Sequence, residues 1–248
     1  MKNRILLVFL ALSAIAAAEG IQTVGVAGNY STSIYKGKNQ IRPLPLVNLN
    51  YNRFFIKGLK PGFTLYEEPQ FKLNAIIDPL AGYFDGWTIK GGSDMDNGYD
   101  ELDTRKSQFM YGLDVDFEFS EEVIGNINYL FGSKGSKGGL SLTYIIPVNE
   151  RLVILPSAGV KYYQSKWVDY YTGVSSEEVS KNTKIDKTHK GKDSFSASAS
   201  ITVEYAVTEQ LSANTFVGVE YFGDKISDSP IVKDNHRVYG GIGVRYSF

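Results

Sequence analysis

The chain contains no cysteine, only two histidines and two tryptophans, and almost no net charge. Without cysteine there is no disulfide frame and no thiolate, either as nucleophile or as metal ligand. With His189 and His236 alone, little is left for imidazole-based metal binding or proton transfer. Lys and Arg together number 26 against 27 Asp and Glu, so no basic surplus exists to hold a phosphate backbone, and nucleic acid is excluded as a partner. Beyond the N-terminus no apolar run approaches the ~20 residues that a membrane-crossing helix needs. What the chain does have is 43% hydrophobic residues, with 25 Gly, 17 Tyr and 14 Phe. That composition is too apolar and aromatic for a disordered chain.

Residues 1–18 read as a secretory signal peptide. Lys2 and Arg4 precede the apolar stretch Ile5–Ile15, and Ala16-Ala17-Ala18 supplies small residues for cleavage. Residues 19–248 are then one exported domain, and if it resides in a membrane it does so by strands.

The exported part alternates with a period of two. Between Ser194 and Tyr205, Phe195, Ala197, Ala199, Ile201, Val203 and Tyr205 share one face, while serines, Thr202 and Glu204 share the other. Leu211–Phe222, Phe109–Phe119 and the terminal strand ending at Phe248 repeat the pattern, and no segment with helical period competes. Connections alternate short and long. Asn52-Arg53, Glu68-Pro69, Ser120–Glu122, Val148–Glu150 and Val207–Glu209 are short. Ser31–Pro43, Asp78–Arg105, Ser133–Gly138, Ser165–Lys192 and Gly223–Asn235 are long or rich in Gly, Lys and Asp. Loops beyond ~12–15 residues are unusual in compact soluble domains but ordinary on the outer face of bacterial barrels.

Period two does not by itself say which face is wet. A soluble barrel puts the apolar set inside, and an outer-membrane barrel turns it toward lipid. Strand-end aromatics (Tyr30, Tyr51, Phe119, Tyr205, Tyr221, Tyr246) form the girdle expected at a membrane interface. Small apolar-face residues such as Ala197, Ala199 and Ala213 would fill a soluble core poorly. The expected fold is therefore all-β: a closed, antiparallel, up-and-down transmembrane barrel in outer-membrane lipid, with short periplasmic turns and long outer loops. A turn at Gly58–Pro61 makes the strand count twelve; without it the count is odd and the chain ends fall on opposite sides, and ten strands follow if Phe54–Ile77 is divided differently. The lumen-facing set includes Lys72, Lys161, Arg237 and Arg245 with Asp114, Asp116, Glu118, Glu204 and Glu220. Mixed signs favour cross-barrel ion pairs over a single-sign selectivity ring. Met110, Tyr163, Phe216 and Tyr239 also point inward and narrow any passage.

Two features resemble known proteins. The C-terminal Val244-x-Tyr246-x-Phe248 looks like the signal read by the barrel-assembly machinery of the outer membrane. Further motifs span the exported chain: Tyr35-x-Gly37, then Arg42-Pro43-x-Pro45, then Leu102-Asp103-x-Arg105 ahead of the strand containing Gly112. They continue with Asp169-Tyr170-Tyr171-x-Gly173-Val174-Ser175, Asp228-Ser229-Pro230-Ile231-Val232 and Gly241-x-Gly243-x-x-Tyr246-x-Phe248. Together these resemble the MltA-interacting protein/OmpV family; the segment Ser176–Lys192 is more charged than that family's pattern. The resemblance implies a non-enzymatic outer-membrane protein that contacts a murein lytic transglycosylase and links it to a murein synthase. Other roles in keeping with the sequence are a narrow small-solute channel or a surface protein binding external ligands through its long loops.

Catalysis and cofactors find little support. His236 has Ser227, Asp228 and Ser229 nearby in sequence, but these are residues that any exposed turn offers. Asp94, Asp96, Asp100, Glu101 and Asp103 form an acidic loop whose spacing departs from that of an EF-hand, and it reads as solvated. Gly132–Gly139 lacks the ending of a phosphate-binding loop and reads as a flexible outer connection. No cofactor, metal or catalytic residue is expected.

Overall fold

In the computed structural model, which describes residues 22–248, the alternating segments form one closed antiparallel sheet. The proposed signal segment lies outside the described residues. The strands are β1 (Thr23–Ser31), β2 (Gln40–Tyr51), β3 (Phe54–Lys57), β4 (Lys60–Glu68), β5 (Phe71–Ala81), β6 (Gln108–Ser120) and β7 (Val123–Gly132). They continue with β8 (Lys137–Tyr144), β9 (Ile146–Asn149), β10 (Leu152–Tyr163), β11 (Ser194–Ala206), β12 (Leu211–Phe222) and β13 (His236–Ser247). β8 and β9 both pair with β10 and are one stave interrupted at Ile145, so the barrel has twelve. β1 closes the ring against β13, from Thr23 opposite Ser247 to Ser31 opposite Tyr239. Closure matters because an open edge in hydrocarbon would leave amides and carbonyls unpaired.

The register turns the apolar set outward. Ile41, Ile242, Phe119 and Phe195 are 80%, 72%, 64% and 62% exposed, and their neighbours on the same face are similarly bare. Only lipid makes so continuous an apolar exterior stable. One end of the barrel has tight turns, among them Asn52-Arg53, where Asn52 takes the left-handed conformation with φ 52°. The other end carries the long connections.

Three details differ from the sequence reading. The connection after β7 is a tight turn, Ser133–Ser136, and Gly135 (φ 101°) packs so closely on the Trp167 amide that a Cβ would collide with it. Short helices interrupt the long loops: α1 (Ser165–Thr172), α2 (Ser176–Lys181) and α3 (Asp224–Ser227). They are too short to show a helical period, although α2 begins with a capping box in which the Ser175 and Glu178 side chains each accept the other's amide. Finally, the turn at Gly58 exists, but β3 is so short that it pairs only with Asn48–Tyr51 of β2.

Candidate functional site

The long connections do not stand clear of the barrel; they fold together into a cap with its own apolar core over the outer mouth. Trp87, from the β5–β6 connection, lies fully buried among Tyr163, Trp167, Tyr171 and Phe222, with ring centroids 5.1 to 6.2 Å away. Ile89 of the same connection, with Ile34 and Tyr35 from the β1–β2 connection and Ile226 and Ile231 from the β12–β13 connection, completes this core. Aromatic side chains bury the most area per residue, which is how loops without regular pairing hold one arrangement.

The motif residues that are far apart in sequence meet in this cap. The Tyr35 hydroxyl lies 2.8 Å from the Trp87 carbonyl and 3.0 Å from that of Tyr171, tying three loops at one atom. Tyr35 also bridges to Val232, and Gly37 to Met95, where a Cβ on Gly37 would strike the Asp94 carbonyl. Asp169 accepts from the Gly191 amide at 2.8 Å. The Tyr170 hydroxyl accepts from the Lys106 amide, and that of Tyr171 donates to the Lys106 carbonyl, both at 3.0 Å. Gly173 leaves room for the Asp169 carbonyl and gives its own carbonyl to Arg105 at 3.1 Å. Ser229 donates to the Thr172 carbonyl at 2.6 Å, and Pro230 precedes the buried Ile231. Pro43 and Pro45 lie apart from the cap, on β2.

Charge secures the cap as well. Arg105 and Glu178 form a buried pair at 2.7 Å. Burial alone would raise the Glu178 carboxyl, but the Ser175 amide and the Arg105 guanidinium outweigh it and hold it below the ordinary carboxylate range. Asp85, at the tip that enters the mouth, is held well below that range by Lys137, whose Nζ is 3.1 Å away. Burial pushes the Tyr35 and Tyr171 phenols up, so both remain neutral donors.

Beneath the cap, charged side chains pair along the inner wall, between neighbouring or nearby staves and not across the lumen as the mixed signs suggested. Glu220 is wholly buried and receives Arg237 at 2.8 Å, Lys161 at 3.1 Å and Ser196 at 2.7 Å. Arg237 also donates to the Asp85 carbonyl, linking the wall to the cap. Lower down, Glu204 takes Arg245 at 3.3 Å, Asp116 takes Lys57 at 2.5 Å, and Lys72 pairs with Glu67 at 2.6 Å. Asp114 accepts from Asn126 at 2.7 Å and Asn74 at 3.3 Å, while Glu118 sits exposed near the turn end of β6. Val244, Tyr246 and Phe248 are on the outer face of the last strand, and the Tyr246 and Phe248 rings meet at 5.5 Å.

The histidines stay apart from any nucleophile the structure pairs with them. His189 Nε2 is 3.2 Å from the Lys225 carbonyl, and His236 Nδ1 is 3.1 Å from Asn235 Oδ1. Among the described residues no three His, Asp or Glu side chains converge as a metal site would require. In the acidic loop, Asp94 and Asp100 instead accept from the backbone amides of Lys90 and Gly98. The sequence reading missed Trp87, Asp85, Lys137 and Glu178. Of these only Glu178 carried a local signal, its place three residues after Ser175.

The profile of the MltA-interacting protein MipA family matches residues 24–248. The 24 kDa outer membrane protein of Pasteurella multocida is 28% identical, over 91% of this chain and 90% of its own length. The MltA-interacting protein of Escherichia coli K12 is 24% identical, over 97% of this chain and 96% of its own. Among solved structures, the NanC porin aligns with 91% of this chain and 100% of its own, at 8% identity and a TM-score of 0.49. The sequence relatives and the lipid-facing exterior agree on location: this is an outer-membrane β-barrel protein.

Proposed function

The chain belongs to the MltA-interacting protein MipA family, and from that premise we propose that it is a non-enzymatic anchor whose periplasmic rim docks a murein lytic transglycosylase and holds it near a murein synthase. The observation that carries this reading is the cap: with Trp87 packed between Trp167, Tyr171 and Phe222, the outer mouth is filled by a built core. Function then falls to the opposite end. There the short turns present Glu68, Glu121, Glu122, Glu150 and Glu209, all exposed, against Arg53 and Arg151. Such a rim would steer and orient a partner with a basic face. A stable interface buries ~800 Å² on each partner, which single turns cannot supply, so the contact must span several of them. The residues give no support for chemistry, since Ser229 is committed to the Thr172 carbonyl rather than to a histidine. On the same reading, Val244, Tyr246 and Phe248 are the strand signal recognised by the barrel-assembly machinery.

The test is recovery of murein enzymes with the tagged protein from solubilised envelopes. A transglycosylase should co-purify, and reversing Glu121 and Glu122 to Lys should weaken its recovery, more so at low than at high salt. Recovery no better than from an unrelated barrel would remove the docking role.

A further inference from the structure

The barrel wall is incomplete on one side. β3 ends at Lys57 and turns back at once, so Gln40–Val47 of β2 face no strand on that side, and Ile77–Ala81 of β5 have no partner in β4. At ~3.3 Å per residue, the opening above the β3–β4 hairpin is on the order of 15–25 Å tall.

Its edges are finished for lipid. The Val47 carbonyl points to the hairpin, where it accepts from the Gly58 amide at 2.7 Å. Strand alternation aims the backbone of Pro43 and Pro45 to the same side, where a residue other than proline would leave an amide N–H unpaired. Four of the chain's eight prolines (Pro43, Pro45, Pro61 and Pro79) lie on the strands that frame this gap. A strand edge facing hydrocarbon is tolerated only where its polar groups are few or otherwise covered.

Behind the opening is a cavity of about 400 Å³. Its lining is mixed: Leu44, Phe55, Ile76 and Leu130 turn inward beside Lys57, Lys60 and a set of carboxylates and amides. At its back is Asp114, 8% exposed, whose hydrogen-bond donors among the described residues are Asn74 and Asn126. Among the described residues no basic side chain lies within ion-pair distance of Asp114, although the neighbouring Asp116 and Asp78 are paired with Lys57 and Lys60. Asp78, Asp85, Asp114 and Asp116 outnumber Lys57 and Lys60 in this lining, and that surplus of negative charge favours a cationic ligand.

We infer that this side opening admits amphipathic organic cations from the outer leaflet, seating the apolar body against Leu44, Phe55, Ile76 and Leu130 and the charge against Asp114. The apolar part of the lining favours an organic cation over a hydrated metal ion, and the gap in the wall supplies a route that the capped mouth does not. The inference is independent of the docking role proposed above.

The test uses the full exported chain in lipid nanodiscs, with tetraphenylphosphonium and its anionic isostere tetraphenylborate, measured by equilibrium dialysis against protein-free discs. Tetraphenylphosphonium should bind saturably and tetraphenylborate should not. Asp114→Asn should weaken binding about tenfold or more. Leu44→Trp, which fills the cavity without touching the charge, should weaken it as well, while Asp96→Asn in the exposed loop should not. Folding of each variant is checked by heat-dependent gel mobility, and Leu44→Trp keeps the test decisive if Asp114→Asn does not fold. Because the chain has no cysteine, Leu44→Cys also reports the route: a bilayer-dissolved N-alkylmaleimide should label it faster than a charged, impermeant one. Absence of saturable cation binding, equal binding of the borate, or indifference to both cavity variants would overturn the site. Faster labelling by the charged reagent would overturn the lateral route.

Discussion

The indole rings of Trp87 and Trp167 meet edge to face, their centroids 6.2 Å apart at an interplanar angle of 82°. They are the chain's only tryptophans, come from different outer connections and are fully buried. Their emission therefore reports the cap and not the barrel, so the two parts can be followed separately.

The first expected outcome concerns the knot above this pair. Tyr35→Phe removes the hydroxyl shared by the Trp87 and Tyr171 carbonyls and leaves both buried without it. The loss should be about 1–3 kcal/mol, borne by the cap alone. Tryptophan emission should move to longer wavelength, and trypsin should cut the lysine-rich Ser176–Lys192 segment faster, while heat-dependent gel mobility stays that of a folded barrel. Unchanged proteolysis would mean the hydroxyl is not what ties the loops.

Acid should loosen the cap in a defined direction. Glu178 and Asp85 both have folded-state values depressed below the unfolded ones, Glu178 by the Ser175 amide and the Arg105 guanidinium and Asp85 by Lys137. A depressed carboxyl contributes stability that is fully present above the unfolded value, ~4 for these groups, and is lost as pH falls through the folded value. Tryptophan emission should thus hold steady from neutral pH to about 4 and shift only below it. Glu178→Gln should remove part of that acid transition; a transition centred well above 4 would point to other groups.

Glu220 has a different status, because two cations depend on it. Glu220→Gln leaves Arg237 and Lys161 facing a neutral amide in a buried site, and breaking a buried pair of this kind costs about 3–5 kcal/mol. Since Arg237 also holds the Asp85 carbonyl, the variant should lower the temperature of the gel-mobility transition and expose the cap to protease together. In planar bilayers the parent protein should show no steady current steps, and Glu220→Gln should show intermittent ones. Large steps from the parent would contradict a closed mouth.

How much of this could be read from the chain differs between wall and cap. Between Ser194 and Tyr205 the alternation separates Phe195 and Ile201 from Ser196 and Glu204, and in the fold the first two face lipid while Ser196 reaches Glu220. Period two is a local property, so the sequence carries it openly. The cap depends on contacts such as Tyr35 with Tyr171, across 136 positions, and irregular loops give no period from which to infer them. The motif residues marked that region without saying why. The shortness of β3 was hidden for another reason: Phe54–Lys57 and Lys60–Glu68 alternate acceptably, and only pairing shows how little of β2 they cover. Leu44, Phe55, Ile76 and Leu130 looked like ordinary apolar residues, and it is the register that turns them inward.

The orientation of the wall can be tested by one residue on each face. Ile242 lies mid-strand on the exterior, opposite Gly28 and Thr215, and is 72% exposed. In lipid, Ile242→Lys places an ammonium near the bilayer midplane, at about 2–4 kcal/mol. In water the same change on so exposed a side chain would be almost neutral. Ser198→Lys, on the lumen side of β11, keeps its charge among polar groups and should be tolerated far better. Urea-driven unfolding from vesicles should therefore rank the parent and Ser198→Lys together, with Ile242→Lys well below. Equal stabilities for the two lysine variants would mean that the apolar face does not meet hydrocarbon, since no other environment makes these two positions so unequal.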